Sequence, residues 1–113
     1  MNADQLRQLL CSYRFMYSNE VELHEAIADI LADAGVDAAR EVRLGAAGRI
    51  DFLAGTVGIE VKVQGATATV GRQLRRYAAT PEVEELLLVT NRPRHVSLAG
   101  ELPGAAVTVA VLL

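Results

Sequence analysis

The chain has 113 residues, 51% hydrophobic and 22% charged, with a formal net charge of −3. That length suits one domain, residues 1–113, around one core. No apolar run reaches the roughly 18 residues that span a bilayer, and Met1-Asn2-Ala3-Asp4-Gln5 lacks the start of a secretory signal. The single cysteine, Cys11, excludes an internal disulfide and a cysteine-rich zinc site, and is expected to be buried beside Leu9 and Leu10. A cytoplasmic protein is expected.

In chain order, a first helix is predicted over residues 3–13. A second starts near Asn19, where Asn19 and Glu22 have capping-box spacing. It continues through Leu23, Ala26, Ile27, Ile30, Leu31 and Ala34 and stops at Gly35. An extended stretch over residues 41–44 precedes the turn-prone residues 45–48. Residues 50–53 and 57–63 read as two strands turning at Gly55-Thr56. Residues 67–79 are helical, 86–90 form a continuously apolar strand, and 107–113 supply a last strand. This order predicts an α/β fold with a mixed β-sheet flanked by helices. An antiparallel three-strand meander is joined by a parallel strand across the 67–79 crossover helix.

Charge is spread unevenly over these elements. Residues 1–37 carry two arginines against seven acids, whereas residues 38–81 carry seven basic residues against three acids. Residues 82–113 carry two arginines against four acids. The middle block thus holds the positive charge that a phosphate-bearing partner requires.

That block also contains the residues that suggest chemistry. With period two, Val57, Ile59, Val61 and Val63 share one face of their strand, and Gly58, Glu60, Lys62 and Gln64 share the other. Glu60 and Lys62 therefore project together, roughly 6.6–7 Å apart. Alone, such a pair is ordinary on a half-exposed strand. Asp51 changes the weighing, because it is as far before the Gly55-Thr56 turn as Glu60 is after it. Two carboxylates facing each other across a hairpin repel unless a cation lies between them, and Mg²⁺ takes such oxygen ligands. The competing reading is a salt bridge, Asp51–Lys62 or Arg49–Glu60.

Glu20 falls about 60° from Leu23 around the second helix, inside its apolar arc, so it faces the sheet. An acid in a first turn also answers to the helix dipole. Glu22 is assigned to capping and His24 to the boundary of the arc. On the 67–79 helix, Val70, Leu74, Tyr77 and Ala78 form the buried stripe, Gln73 lies beside it, and Arg72, Arg75 and Arg76 surround it. These arginines suit phosphate binding or a solvated face.

The segments Arg49-Ile50-Asp51-Phe52-Leu53, Gly58-Ile59-Glu60-Val61-Lys62-Val63 and Gln73-Leu74-Arg75-Arg76-Tyr77-Ala78 resemble the PD-(D/E)xK nuclease superfamily. The match resembles small resolvase-like or phage-encoded members, with Ile50 where the eponymous proline would stand. The resemblance implies a restriction-endonuclease-like core and Mg²⁺- or Mn²⁺-dependent phosphodiester hydrolysis, in DNA rather than RNA. It implies Asp51, Glu60, the Val61 carbonyl and Glu20 as metal ligands, Lys62 as the catalytic lysine and Gln73 as an auxiliary residue. Arg49, Arg72, Arg75, Arg76 and Tyr77 are then the candidates for meeting nucleic acid. So small a core also implies a homodimer or a subunit of a complex. The alternative is a catalytically inactive module of the same fold that binds nucleic acid or protein.

Overall fold

The computed structural model describes residues 1–112. Its elements are α1 (Ala3–Cys11), α2 (Glu20–Asp33), β1 (Ala38–Arg43), β2 (Arg49–Ala54), β3 (Val57–Lys62), α3 (Thr67–Ala78), β4 (Glu85–Thr90), β5 (Gly100–Leu102) and β6 (Ala105–Val111). Short 3-10 turns occupy Gly45–Ala47 and Pro93–Leu98. The six strands form one mixed sheet in the order β1-β2-β3-β4-β6-β5. β1, β2 and β3 run antiparallel, β4 joins β3 in parallel across α3, and β6 joins β4 in parallel. The α/β mixed sheet flanked by helices is therefore as expected, with one strand added and some boundaries shifted.

β5 is a three-residue antiparallel partner of β6 that the sequence reading did not contain. The last strand begins two residues earlier than expected, and Leu113, at its expected end, lies outside the described residues. The first helix stops at Cys11 rather than residue 13, which turns Leu10 inward and leaves Cys11 exposed. Burial of Cys11 is thus corrected: Leu6 and Leu10 take the inner face, and Cys11 falls on the other.

Two apolar layers sandwich the sheet. One packs α1 and α2 on Phe52, Val57, Ile59, Val61, Leu87, Val89 and Ala110; the other packs α3 on Ile50, Leu86, Leu88 and Val107. β4 serves both layers, which is why Leu86 through Val89 form a continuous apolar run. Burying each large aliphatic side chain contributes about 1.5–3 kcal/mol before entropy is counted. α1 and β6 contribute to this core as well.

Three local features position the middle of the sheet. Asn19 caps α2 by accepting the Glu22 N–H at 2.9 Å, while the Glu22 carboxylate accepts the Ser18 N–H at 2.8 Å. The hairpin turns at Gly55 with φ 63°, as a type II′ turn requires of its first central residue. Finally, β2 changes face at Asp51. Phe52 packs toward α2, yet Ile50, two residues away, packs toward α3 with its Cδ1 over Gly58. Opposite Asp51, Glu41 adopts a left-handed φ of 55°, and the β1–β2 ladder skips this one pair. A non-glycine residue held there stores about 1–3 kcal/mol of strain.

Candidate metal and phosphate site

The change of face at Asp51 opens the hairpin where its chemistry lies. The β2–β3 ladder keeps the register expected from the turn through Phe52–Ile59. Beyond that pair two side chains replace the backbone ladder. The Asp51 N–H donates to Glu60 Oε1 at 3.3 Å, and the Val61 N–H donates to Asp51 Oδ2 at 2.8 Å. Asp51 and Glu60 thus meet as the sequence predicts, but through crossed side-chain bonds rather than as a ladder pair. Val61 offers its N–H to Asp51, whereas the resemblance assigned its carbonyl to a metal.

Glu60 is 3% exposed. Burial, and then the charge of Asp51, push its carboxyl up to about 8, although Lys62 acts in the opposite direction. Lys62 Nζ sits 3.4 Å from Glu60 Oε2. The open choice of salt bridge is resolved by this contact: Glu60 pairs with its neighbour on the same strand, and Arg49 pairs with Glu41 at 3.2 Å.

From the other layer, α2 contributes a residue that the sequence reading placed at a boundary. His24 Nε2 lies 3.6 Å from Asp51 Oδ2 and 3.8 Å from Glu20 Oε2. It is buried and has no hydrogen-bond partner among the described residues. A buried donor or acceptor in that condition calls for an explanation. His24, Glu41 and Asp51 can bring one ligand atom each within 4.8 Å of one another. His24 therefore moves from boundary position to site residue. Its spacing of four from Glu20 on one helix face was the available signal. Glu20 approaches Asp51 only through His24, from a half-exposed position in the first turn of α2.

On the opposite layer Gln73 Nε2 donates to the Tyr77 hydroxyl at 2.8 Å, and that hydroxyl donates to the Arg49 carbonyl at 2.9 Å. Burial first, then Glu60, push the Tyr77 phenol up to about 12, so it stays a neutral donor at physiological pH. Tyr77 was expected to meet nucleic acid. It is 1% exposed and offers no surface for that role, because its ring fills the α3 layer. Gln73 and Tyr77 instead hold the residue two before Asp51. Arg72, Arg75 and Arg76 are exposed along α3, with Arg72 donating to Thr69 Oγ1. Arg49 is exposed as well, and its guanidinium is engaged by Glu41.

The donor set is a buried imidazole nitrogen with carboxylates, one of which carries a proton at neutral pH. Both features suit a divalent cation: the imidazole has an unfilled bonding position, and Asp51 sits close enough to Glu60 to raise the cost of ionising it. No helix is long and apolar enough to cross a membrane among the described residues. No family model matches the chain, and no curated protein and no solved structure matches it.

Proposed function

We propose that the chain is a small metal-dependent nuclease that hydrolyses phosphodiester bonds, with DNA as its substrate and a restriction-endonuclease-like core. The observation that carries this reading is the cluster of Asp51, buried Glu60 and Lys62, linked by side-chain contacts, with the unpartnered His24 Nε2 beside Asp51. Asp51 and Glu60 would hold Mg²⁺ or Mn²⁺, joined by His24 and Glu41, whose ligand atoms converge with that of Asp51, and by Glu20 beyond His24. The imidazole favours Mn²⁺, since nitrogen ligands suit transition ions better than Mg²⁺. When bound, the cation supplies positive charge to orient the scissile phosphate and lower the pKa of a water.

The chain's own residues do the rest. Lys62, held by Glu60, places an ammonium where charge develops on the phosphoryl oxygens. Glu60, whose carboxyl is pushed up to about 8, would ionise more readily beside a bound cation. Tyr77 and Gln73 fix the Arg49 carbonyl, and through it the entry of β2 into the cleft. Exposed Arg72, Arg75 and Arg76 contribute salt-dependent attraction for the nucleic-acid backbone. A cytoplasmic setting fits the reading.

A nicking assay on supercoiled, branched and single-stranded DNA tests it, with Mg²⁺ or Mn²⁺ and with Asp51→Asn and Lys62→Ala alongside wild type. Each variant is expected to lose roughly 10²–10³-fold in rate, the usual cost of one preorganised charge. Metal-dependent cutting that persists in both variants overturns the proposal. No cutting on any substrate, with no metal heat in calorimetry, favours an inactive binding module.

A further inference from the structure

The sheet register places a second surface beside the cleft. Lys62 pairs with Thr90, and Thr90 with Val111, so the three form a row across β3, β4 and β6. Neighbouring strands lie about 4.8 Å apart, which puts Val111 about 10 Å from Lys62. At Val111 begins an open groove of ≈ 620 Å³, lined by Tyr13, Arg14, Phe15, Met16 and Leu112 among others. A cavity of that size accepts a small-molecule-sized group.

Two of the groove's large apolar side chains are turned outward. Tyr13 is 49% exposed and Met16 is 90% exposed, whereas Phe15 between them is 9% exposed and belongs to the core. Arg14 makes no ion pair among the described residues, whereas Arg7, on the preceding helix, is paired with Asp4. None of the described lining residues is acidic. In the loop after β4, whose last residue Thr90 stands between Lys62 and Val111 in the sheet, Arg92 and Arg94 are clipped by Nε to the Val63 carbonyl at 2.8 Å and by a terminal nitrogen to the Gly65 carbonyl at 2.9 Å. Carbonyl partners leave both guanidinium charges unneutralised.

We propose that this groove receives an unpaired DNA strand running from the cleft, its phosphates on Arg92, Arg94 and Arg14 and a base against Tyr13 and Met16. The inference rests on the nuclease reading and narrows its substrate class to DNA with a single-stranded segment at the cut. A paired duplex hides the base faces that an exposed tyrosine and methionine can cover. Aromatic stacking combined with a basic track is the chemistry by which single strands are held without regard to sequence.

The test compares binding of a fluorescent 12-mer of thymidylate with a 12-base-pair duplex, in EDTA so that nothing is cut. Wild type is expected to prefer the single strand. Tyr13→Ala should weaken that binding roughly 5–150-fold, the range for one lost aromatic–base stack, and Tyr13→Phe should retain it. Arg14→Ala should lower the salt dependence of log K by about 0.7, one single-strand phosphate contact. Equal binding to duplex and single strand, or full binding by Tyr13→Ala, overturns the inference. So does a wild-type dimer in sedimentation that Tyr13→Ala dissociates without change in DNA binding, which would assign the groove to a second copy. Calorimetric Mn²⁺ binding lost in Asp51→Asn is the separate readout for the nuclease reading, so either idea can fail alone.

Discussion

Replacing Glu60 by Gln should make the cation-free protein more stable at neutral and alkaline pH while abolishing metal-dependent cutting. Glu60 is 3% exposed, and burial followed by the Asp51 charge raises its pKa from 4.5 to about 8. The folded state therefore keeps a proton that the unfolded chain releases. The stability this gives is fully present below pH 4.5 and is lost as pH rises to about 8. At pH 7, about two and a half units above the unfolded value, the loss is roughly 3 kcal/mol. That is a large fraction of a domain stability of about 5–15 kcal/mol. A Gln amide keeps the shape of the protonated acid and can still accept the Asp51 N–H. Urea denaturation in EDTA at pH 5, 7 and 9 should show the variant gaining on wild type as pH increases. A difference between the two proteins that stays constant from pH 5 to 9 would refute the reasoning.

Three further substitutions test other parts of the structure. His24→Ala should lower Mn²⁺ affinity in calorimetry by roughly 10–100-fold or more, since even groups behind metal ligands have effects of that size; unchanged affinity removes His24 from the site. Tyr77→Phe strips one hydroxyl from the Gln73–Tyr77–Arg49 chain and should cost about 1–2 kcal/mol in urea. It should lower kcat with little change in KM, and an unaltered kcat would show that this chain does not position Asp51. Gly104→Ala places a Cβ against the Ala78 carbonyl from a backbone at φ +99°, and should destabilise the fold by about 2 kcal/mol or more in the same assay.

Much of the central sheet was legible because local chemistry and tertiary packing agree there. Gly55-Thr56 sets a two-residue turn, the turn sets the register, and period two sorts Val57, Ile59 and Val61 from Gly58 and Glu60. Asn19 announces the start of α2 through its cap. What escaped depends on contacts distant in sequence. β5 has three residues and no pattern of its own, existing only as a rim on β6. Helical spacing placed His24 at the edge of an arc, but what faces that edge is set by the face change at Asp51. Nothing in Arg40-Glu41-Val42 marks a left-handed residue, because glycine or asparagine normally occupies such a position. Tyr77 was legible as a buried stripe residue, and the same ring could not also be a surface contact.

The left-handed Glu41 bears on how molecules of this chain meet one another. β1 is one outer strand of the sheet and β5 is the other. An outer strand exposes unpaired N–H and C=O groups that can template a neighbour and begin aggregation. Here one border is bent at Glu41 and flanked by Arg40 and Arg43, and the other is only three residues long. Neither offers a flat run on which a second sheet could grow. The left-handed residue opposite Asp51 thus also interrupts the one long edge along which another strand could pair.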